Sequence, residues 1–147
     1  MENYYEFIHE ILKLSRVFVS NLNKDLITHN LHSSQWRVMR SLKELGPSTL
    51  VDIANYLSVE KSSVTRSVER LKKSEFIEEV PGKDKREKRI KLSDLGEKNY
   101  DIVYEIVTKF ENNSVKGISN DELETTYQVI LKIMNNITNE YEGDKNE

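Results

Sequence analysis

The sequence predicts a mainly α-helical protein that contains one small β-hairpin. Apolar residues recur at helical spacing through most of the 147 residues, and only 5 Gly and 2 Pro are present to interrupt helices. Alternation of apolar and polar residues is confined to the two sides of the Pro81-Gly82 turn. We therefore expect six helices, with two short strands between the fourth and the fifth.

The first three helices are predicted from apolar spacing and from capping residues. Residues 4–27 form a helix whose apolar stripe is too wide for one packing partner. Ser33 is expected to cap the second helix, which ends at Gly46. Thr49, with Asp52 three residues later, opens a short third helix through a capping box.

The fourth helix, residues 60–74, follows a tight turn at Ser58-Val59 and has one polar and one apolar face. Its apolar stripe consists of Val64, Val68 and Leu71. The alternating segments 76–80 and 89–92 then form the two strands of the hairpin.

The last two helices begin at recognisable caps. Ser93 is expected to cap a long fifth helix that Gly117 ends, and Ser119 and Glu122 form a capping box for the sixth. The apolar positions of the sixth helix follow the seven-residue repeat of a helix-packing seam: Leu123, Tyr127, Ile130, Met134, Ile137 and Tyr141.

Charge is distributed unevenly along the chain. The net charge is -3, yet residues 61–91 hold 11 Lys and Arg against 6 Asp and Glu. Residues 93–147 hold 5 against 12. A basic segment within an acidic remainder indicates one face that binds a polyanion.

Several classes of function are disfavoured by the composition. The absence of Cys excludes disulfides, thiolate nucleophiles and Cys-type zinc sites. With only three His and no Gly-rich phosphate loop, we expect no catalytic residue, no metal and no cofactor. No window approaches the roughly 18 apolar residues of a membrane span, and the start, "MENYYEFIHE", lacks the features of a signal peptide. We therefore expect a cytoplasmic protein that does not associate with membranes.

The order of helix, tight turn, helix with a polar face and basic hairpin is that of a winged helix-turn-helix. An α-helix fits the major groove of B-DNA, and small polar or Arg side chains near its start reach base edges. The hairpin, or wing, can follow the phosphate backbone and place Arg86 in the minor groove. Asp84 is expected to brace a neighbouring Arg. The predicted DNA-binding residues are Ser62, Ser63, Thr65, Arg66, Arg70, Lys73, Lys83, Lys85, Arg86, Lys88 and Arg89.

Between about Leu31 and Gly96 the sequence resembles the MarR (multiple antibiotic resistance regulator) family. The matching segments are "LHSSQWRVMRSL", "LVDIANYLSVEKSSVTRSVERLKKSEFIEEV" and "DKREKRIKLSDLG". In the last, Ser93 replaces the more usual Thr. The resemblance implies that the first and the last two helices form a dimer interface, that Arg86 enters the minor groove, and that double-stranded DNA at bacterial promoters is the partner. It also implies release by a small, often phenolic, effector.

We expect one MarR-like domain over residues 1–147. Its parts are a helical dimerisation lobe (1–30 and 117–147), a winged helix-turn-helix lobe (31–95) and a linking helix (96–116). The wide stripe of the first helix and the seam of the sixth independently predict a homodimer. Such a dimer would bind a pseudo-palindromic operator, and we expect it to act as a repressor.

Two alternatives remain open from the sequence. His29, His32 and a carboxylate such as Glu10 could form the site of a metal-responsive regulator. A protein-binding adaptor could also retain the fold without binding DNA. If a small effector binds between the lobes, the candidate contact residues by position are Phe18, His29, His32, Trp36 and Arg37.

Overall fold

The computed structural model describes residues 3–81, 84 and 86–143, with side chains described through residue 140. Within these residues it confirms a mainly helical fold with one antiparallel hairpin. The helices are α1 (Tyr5–Leu26), α2 (Ser33–Leu45), α3 (Leu50–Leu57), α4 (Lys61–Lys73), α5 (Asp94–Ser114) and α6 (Asn120–Gly143); the strands are β1 (Ile77–Pro81) and β2 (Lys88–Leu92). The chain forms two compact units, Met1–Phe110 and Glu111–Glu147.

The core of the first unit collects apolar side chains from every helix of that unit and from both strands. Its most deeply buried residues include Leu26, Met39, Ile53 and Val103, each at 0% exposure. Trp36 of α2 stacks on Tyr100 of α5 with 4.9 Å between ring centroids. The periodic apolar positions predicted for α2, α3 and α4 therefore converge on one core.

Two of the predicted helix starts are confirmed. The Thr49 hydroxyl accepts the Asp52 N–H at 3.1 Å, and the Asp52 carboxylate accepts the Thr49 N–H at 3.0 Å. The Thr49 backbone N–H first and the Thr49 side chain second, with a smaller effect of the charge of Arg89, hold the pKa of Asp52 below its ordinary value. At the start of α5, the Ser93 hydroxyl accepts the Gly96 N–H at 3.0 Å.

The predicted cap of α2 is wrong by one residue. Ser33 is the first residue of the helix, and His32 is the N-cap. The Gln35 side chain accepts the His32 N–H at 2.9 Å, and Asn23 of α1 accepts the Ser33 N–H at 2.8 Å. A side chain from a different helix thus satisfies a free N–H group at this helix end, which the local sequence could not indicate.

Strand β2 of the hairpin forms backbone hydrogen bonds along both of its edges. Ile77 pairs with Leu92 at one end of the ladder, and Pro81 pairs with Lys88 at the other. Ser48, between α2 and α3, exchanges backbone hydrogen bonds of 3.0 and 2.9 Å with Ile90, so that it acts as a one-residue third strand. Strand β2 of the wing is therefore attached to the loop before α3.

A close backbone approach fixes the start of α5 against the segment before β1. A Cβ atom added at Gly96 would overlap the backbone carbonyl oxygen of Phe76. The Ser93 N–H donates to that same oxygen at 3.0 Å. Glycine at position 96 therefore has a packing function in addition to its place in the "SDLG" motif.

The second unit consists mainly of α6, which begins at the predicted capping box. The Ser119 N–H donates to the Glu122 carboxylate at 2.9 Å, and the Glu122 N–H donates to the Ser119 hydroxyl at 3.3 Å. The Ser119 hydroxyl, which donates to the Glu122 carboxylate at 2.6 Å, and then the Ser119 N–H lower the pKa of Glu122. None of the helices within the described residues combines the length and the hydropathy that a membrane span requires.

Candidate nucleic-acid interface

The buried face of α4 sets the orientation of its polar face. Val64, Val68 and Leu71 are 1–4% exposed and join the core. Among the residues predicted to contact DNA on this helix, Ser62, Arg66, Arg70 and Lys73 are exposed and Ser63 and Thr65 are partly buried. Since the apolar stripe is held inward, the predicted contact side chains face outward as one surface.

The turn between α3 and α4 is tight, as predicted. Ser58 has a left-handed backbone, with φ of 53°, and the Val59 N–H donates to the Ala54 carbonyl at 3.1 Å. Glu60 is the N-cap of α4, but its side chain forms no capping bond. The first N–H groups of α4 are therefore not satisfied by a side-chain cap and can face a phosphate.

The basic side chains of α4 have few competing partners. Arg66 has a single described hydrogen bond, a long one of 3.5 Å to the Ser63 hydroxyl. No described carboxylate forms an ion pair with Arg66, Arg70 or Lys73. The Thr65 hydroxyl donates to the Lys61 carbonyl at 3.0 Å, which leaves its lone pairs free to accept. The three cations can therefore bind an external anion without first breaking an internal ion pair.

Two other lysines, one on β2 and one at the end of α4, form ion pairs with glutamates of β1. Lys91 forms a cross-strand ion pair of 3.2 Å with Glu78, and Lys72 at the end of α4 forms one of 2.8 Å with Glu79. The hydrogen bond and charge of Lys72, with a smaller effect of Lys88, lower the pKa of Glu79. Both pairs are exposed and contribute little to stability, but they reduce the positive charge offered by Lys72 and Lys91.

Arg89 is a residue of β2, and its guanidinium contacts three groups. Its guanidinium donates to the Pro47 carbonyl at 3.1 Å and to the Glu87 carboxylate at 2.7 Å, and it lies 3.6 Å from the Asp52 carboxylate. Its side chain is only 27% exposed. These contacts join β2 to the start of α3, a bracing role that the charge pattern of the sequence did not distinguish from phosphate contact.

The tip of the wing is organised by Asp84. Its carboxylate accepts the backbone N–H of Arg86 at 3.2 Å, and its carbonyl accepts the Glu87 N–H at 2.9 Å. Asp84 was expected to brace a neighbouring Arg, and its described contact is with the backbone of Arg86. The Arg86 side chain is exposed and forms no ion pair with another described residue. The predicted contacts Lys83 and Lys85 lie outside the described residues.

The residues considered for an effector or a metal do not form one site. Trp36 is buried against Tyr100, and Phe18 meets Phe110 edge to face at 5.0 Å. His32 lines one cleft and Arg37 lines another. Within the described part of the chain, no group of three His, Asp or Glu side chains is arranged to hold a metal ion, so His29, His32 and Glu10 do not form the alternative metal site.

Comparison with known proteins identifies similar sequences and structures. The model of the MarR family matches residues 31–88. The chain is 34% identical over 117 residues to the uncharacterized HTH-type transcriptional regulator YwoH of Bacillus subtilis. The aligned region covers 80% of this chain and 85% of that protein.

Two solved structures have the same fold. Staphylococcus aureus MarR in complex with salicylate and kanamycin superimposes with a TM-score of 0.80 at 26% identity, over 92% of this chain and 93% of that one. A mutant MarR from Escherichia coli in complex with operator DNA has a TM-score of 0.79 at 24% identity, over 88% and 96% of the two chains.

Proposed function

Because this chain belongs to the MarR family of winged-helix transcriptional regulators, we propose that it binds double-stranded DNA sequence-specifically as a homodimer and represses transcription. One observation carries this proposal. The predicted contact residues Arg66, Arg70, Lys73, Arg86 and Lys88 form no ion pair with another described residue. Unpaired cations on a helix and an adjacent hairpin suit the phosphates on either side of a groove.

In this proposal, α4 enters the major groove. The side chains of Ser62, Ser63, Thr65 and Arg66 lie in its first half and meet base edges, and Arg70 and Lys73 lie farther along, toward phosphates. Arg86 enters the minor groove, with Lys83, Lys85 and Lys88 along the backbone. The internal contacts of Arg89 favour a different role, in which it positions the wing and does not itself bind a phosphate.

The homodimer is supported by apolar surface that a single chain leaves exposed. On α1 the exposed apolar residues are Tyr5, Phe7, Ile8, Leu12, Leu14 and Val17. On α6, four residues of the predicted seam, Tyr127, Ile130, Met134 and Ile137, are 40–55% exposed; the side chain of Tyr141 lies outside the described residues. Apolar helix faces of this extent are typical of protein interfaces. A two-fold dimer would present two α4 helices to half-sites about 10 base pairs apart.

We further propose that a small effector controls DNA binding and that the protein acts in the cytoplasm as a regulator without catalytic activity. The salicylate complex of Staphylococcus aureus MarR supports a small-molecule effector for this fold, and the relatives are transcriptional regulators. An effector can shift the DNA-binding equilibrium only if it binds one state of the protein more tightly than the other.

Selection of bound fragments from genomic DNA tests the central proposal. We expect recovered sequences to share two inverted half-sites, and binding to weaken with salt at a log-log slope of about -0.9 per phosphate contact. Mass measurement in solution should give twice the chain mass. Failure to bind any duplex at low salt would instead favour the adaptor alternative.

A further inference from the structure

Arg37 of α2 lies beside the first half of α4. The two helices pack against each other, and a crevice between them is lined by Ser34 and Arg37 from α2 and by Ser63 and Ser67 from α4. Ser63 is one of the residues that the proposed function places against DNA. The sequence suggested Arg37 only as a contact of a small effector, but the fold places it next to the DNA-binding surface.

The crevice beside Arg37 is too small for an organic effector. Its volume is about 30 Å³, which is enough for about one or two water molecules. The residue itself is exposed at the surface. Arg37 therefore borders no pocket here that could hold an effector, and its charged group has to be explained by some other partner or by solvent alone.

Arg37 is not paired within the described part of the chain. Its side chain is exposed, and no described carboxylate forms an ion pair with it. Lys43 of the same helix differs, because its ammonium group pairs with Glu97 of α5 and lies 5.2 Å from the centre of the Tyr100 ring. Solvated arginines are common on protein surfaces. Only the charge of Arg37, however, is available to an external anion without the loss of an internal ion pair.

The position of Arg37 relative to the wing follows from the geometry of α4. Ser63 lines the crevice with Arg37, and Lys72 pairs with Glu79 of β1. These two residues of α4 are nine positions apart. Nine residues of an α-helix make two and a half turns, so the two side chains leave α4 in opposite directions. Helix α2 and the wing therefore flank α4 on opposite sides.

The dimensions of the major groove place Arg37 near a phosphate strand. The groove is about 12 Å wide, and a helix with its side chains is about 10–12 Å across, so α4 alone would fill it. Helices that pack against each other have axes about 8–10 Å apart. An element packed beside α4 therefore lies over the edge of the groove, where phosphates and not base edges are exposed.

We propose that Arg37 binds a DNA phosphate at the edge of the major groove opposite the wing. This inference rests on the proposed function, in which α4 enters the groove, and it adds α2 as a third contact element of each chain. The Arg37 guanidinium donates to the phosphate oxygens, and arginine can do so through two parallel hydrogen bonds. Such a contact carries no base information, but it fixes the position of α4 in the groove.

Salt-dependent binding to the operator selected from genomic DNA tests this contact. Arg37→Gln should reduce affinity for the operator and for its single-base variants by the same factor. The slope of log affinity against log salt should fall in magnitude by about 0.9 for each chain of the proposed dimer. Arg37→Lys should keep the slope, because lysine also binds phosphate as a point charge. Lys43→Gln removes a charge of the same sign from the same helix, and this matched control should leave the slope unchanged.

Operators in which a neutral methylphosphonate replaces a single phosphate would locate the contact. Replacement of one phosphate in each half-site should weaken binding by the natural chain about as much as Arg37→Gln does. The same replacement should have little further effect on the Arg37→Gln variant, because the two changes remove one and the same interaction.

Three results would overturn the contact while the proposed function stands: an unchanged salt slope in Arg37→Gln, an equal decrease in Lys43→Gln, or no phosphate whose replacement depends on Arg37. A natural chain that binds no duplex at low salt would overturn both proposals. Circular dichroism should show the same helix content in all three variants, since Arg37 is exposed and the ion pair of Lys43 lies at the surface.

Discussion

The guanidinium of Arg89 in β2 donates to the backbone carbonyl oxygen of Pro47 at 3.1 Å, across 42 positions of the chain. With Glu87 and Asp52 on the same guanidinium, this contact ties the wing to the start of α3. The side chain is three-quarters covered, unlike its neighbour Lys88, which is exposed. Two adjacent basic residues of the same strand thus have different surroundings and should respond differently to substitution.

Arg89→Gln should lower the free energy of unfolding by about 1–2 kcal/mol, because it removes hydrogen bonds between partly buried groups. DNA affinity should fall, but its dependence on salt should stay the same, since no phosphate contact is lost. Urea unfolding and fluorescence anisotropy at several salt concentrations would measure both quantities.

Lys88→Gln is the matched control for that variant. Its stability should change by less than about 0.5 kcal/mol. The slope of log affinity against log salt should decrease in magnitude by about 0.9 for each lost phosphate contact, and the proposed dimer loses one in each chain. A reduced salt slope in the Arg89 variant would contradict the bracing role.

Gly96→Ala should destabilise the protein by more than about 2 kcal/mol, because the added Cβ overlaps the Phe76 carbonyl oxygen. Alanine normally stabilises an interior helix position relative to glycine by about 1 kcal/mol, so the predicted sign is opposite to helix propensity.

Gly117→Ala is a useful comparison, because its added Cβ meets no atom but its φ is +85°. That variant should lose about 1 kcal/mol through backbone strain alone. Thermal or urea unfolding would show which of the two variants loses more stability. A Gly96→Ala variant as stable as the natural chain would contradict the packing argument.

Arg86→Ala should weaken DNA binding strongly while leaving the dimer intact, because the exposed Arg86 side chain has no described ion-pair partner. Arg66→Ala should relax base preference by about 1–3 kcal/mol at one position of each half-site while changing the salt slope less. Binding to the selected operator and to single-base variants of it would separate the effects. Unchanged affinity in both variants would reject the predicted contacts.

Thr49→Val should show a stability loss that depends on pH. The pKa of Asp52 is held below its ordinary value of 3.8 first by the Thr49 backbone N–H, which valine keeps, and second by the Thr49 side chain, which valine lacks. The stability from that depressed pKa is therefore present above about pH 4 and is lost as pH falls through the lower folded-state value. At neutral pH the variant should lose about 1 kcal/mol, and the difference from the natural chain should narrow in acid. A difference independent of pH would contradict the contribution of the Thr49 side chain to the lowered pKa of Asp52.

Ile130→Asp should convert the proposed dimer into monomers, because it places a charge in the exposed apolar seam of α6. Lys132→Asp, at a polar position of the same helix, should leave the dimer intact. Light scattering after gel filtration gives the mass, and circular dichroism would establish that both variants keep their helices. An unchanged mass for the Ile130 variant would exclude this face from the interface.

Much of the fold could be predicted because its signals are local. The capping boxes at Thr49 and Ser119, the Ser58-Val59 turn and the apolar stripe of α4 each occupy a few consecutive residues, and the structure confirms all of them. The contact of Asn23 with the Ser33 N–H at the start of α2 could not be predicted, because Asn23 belongs to another helix.

The DNA-binding interface was less predictable, because its contacts join residues that are far apart in the sequence. Charge counting could place Arg66 and Arg89 in one basic segment, but only the folded chain shows that Arg89 meets Pro47 and Asp52. Contacts between distant residues leave no periodic trace in a single sequence.

The stacking of Trp36 on Tyr100 has a practical consequence, because the chain contains only this one tryptophan. Its indole ring is 3% exposed within the core, so its emission should shift to longer wavelength when the first unit melts. A duplex bound at the surface should leave that emission almost unchanged. The molecule therefore carries its own optical reporter of folding, which can be followed while its ligands are present.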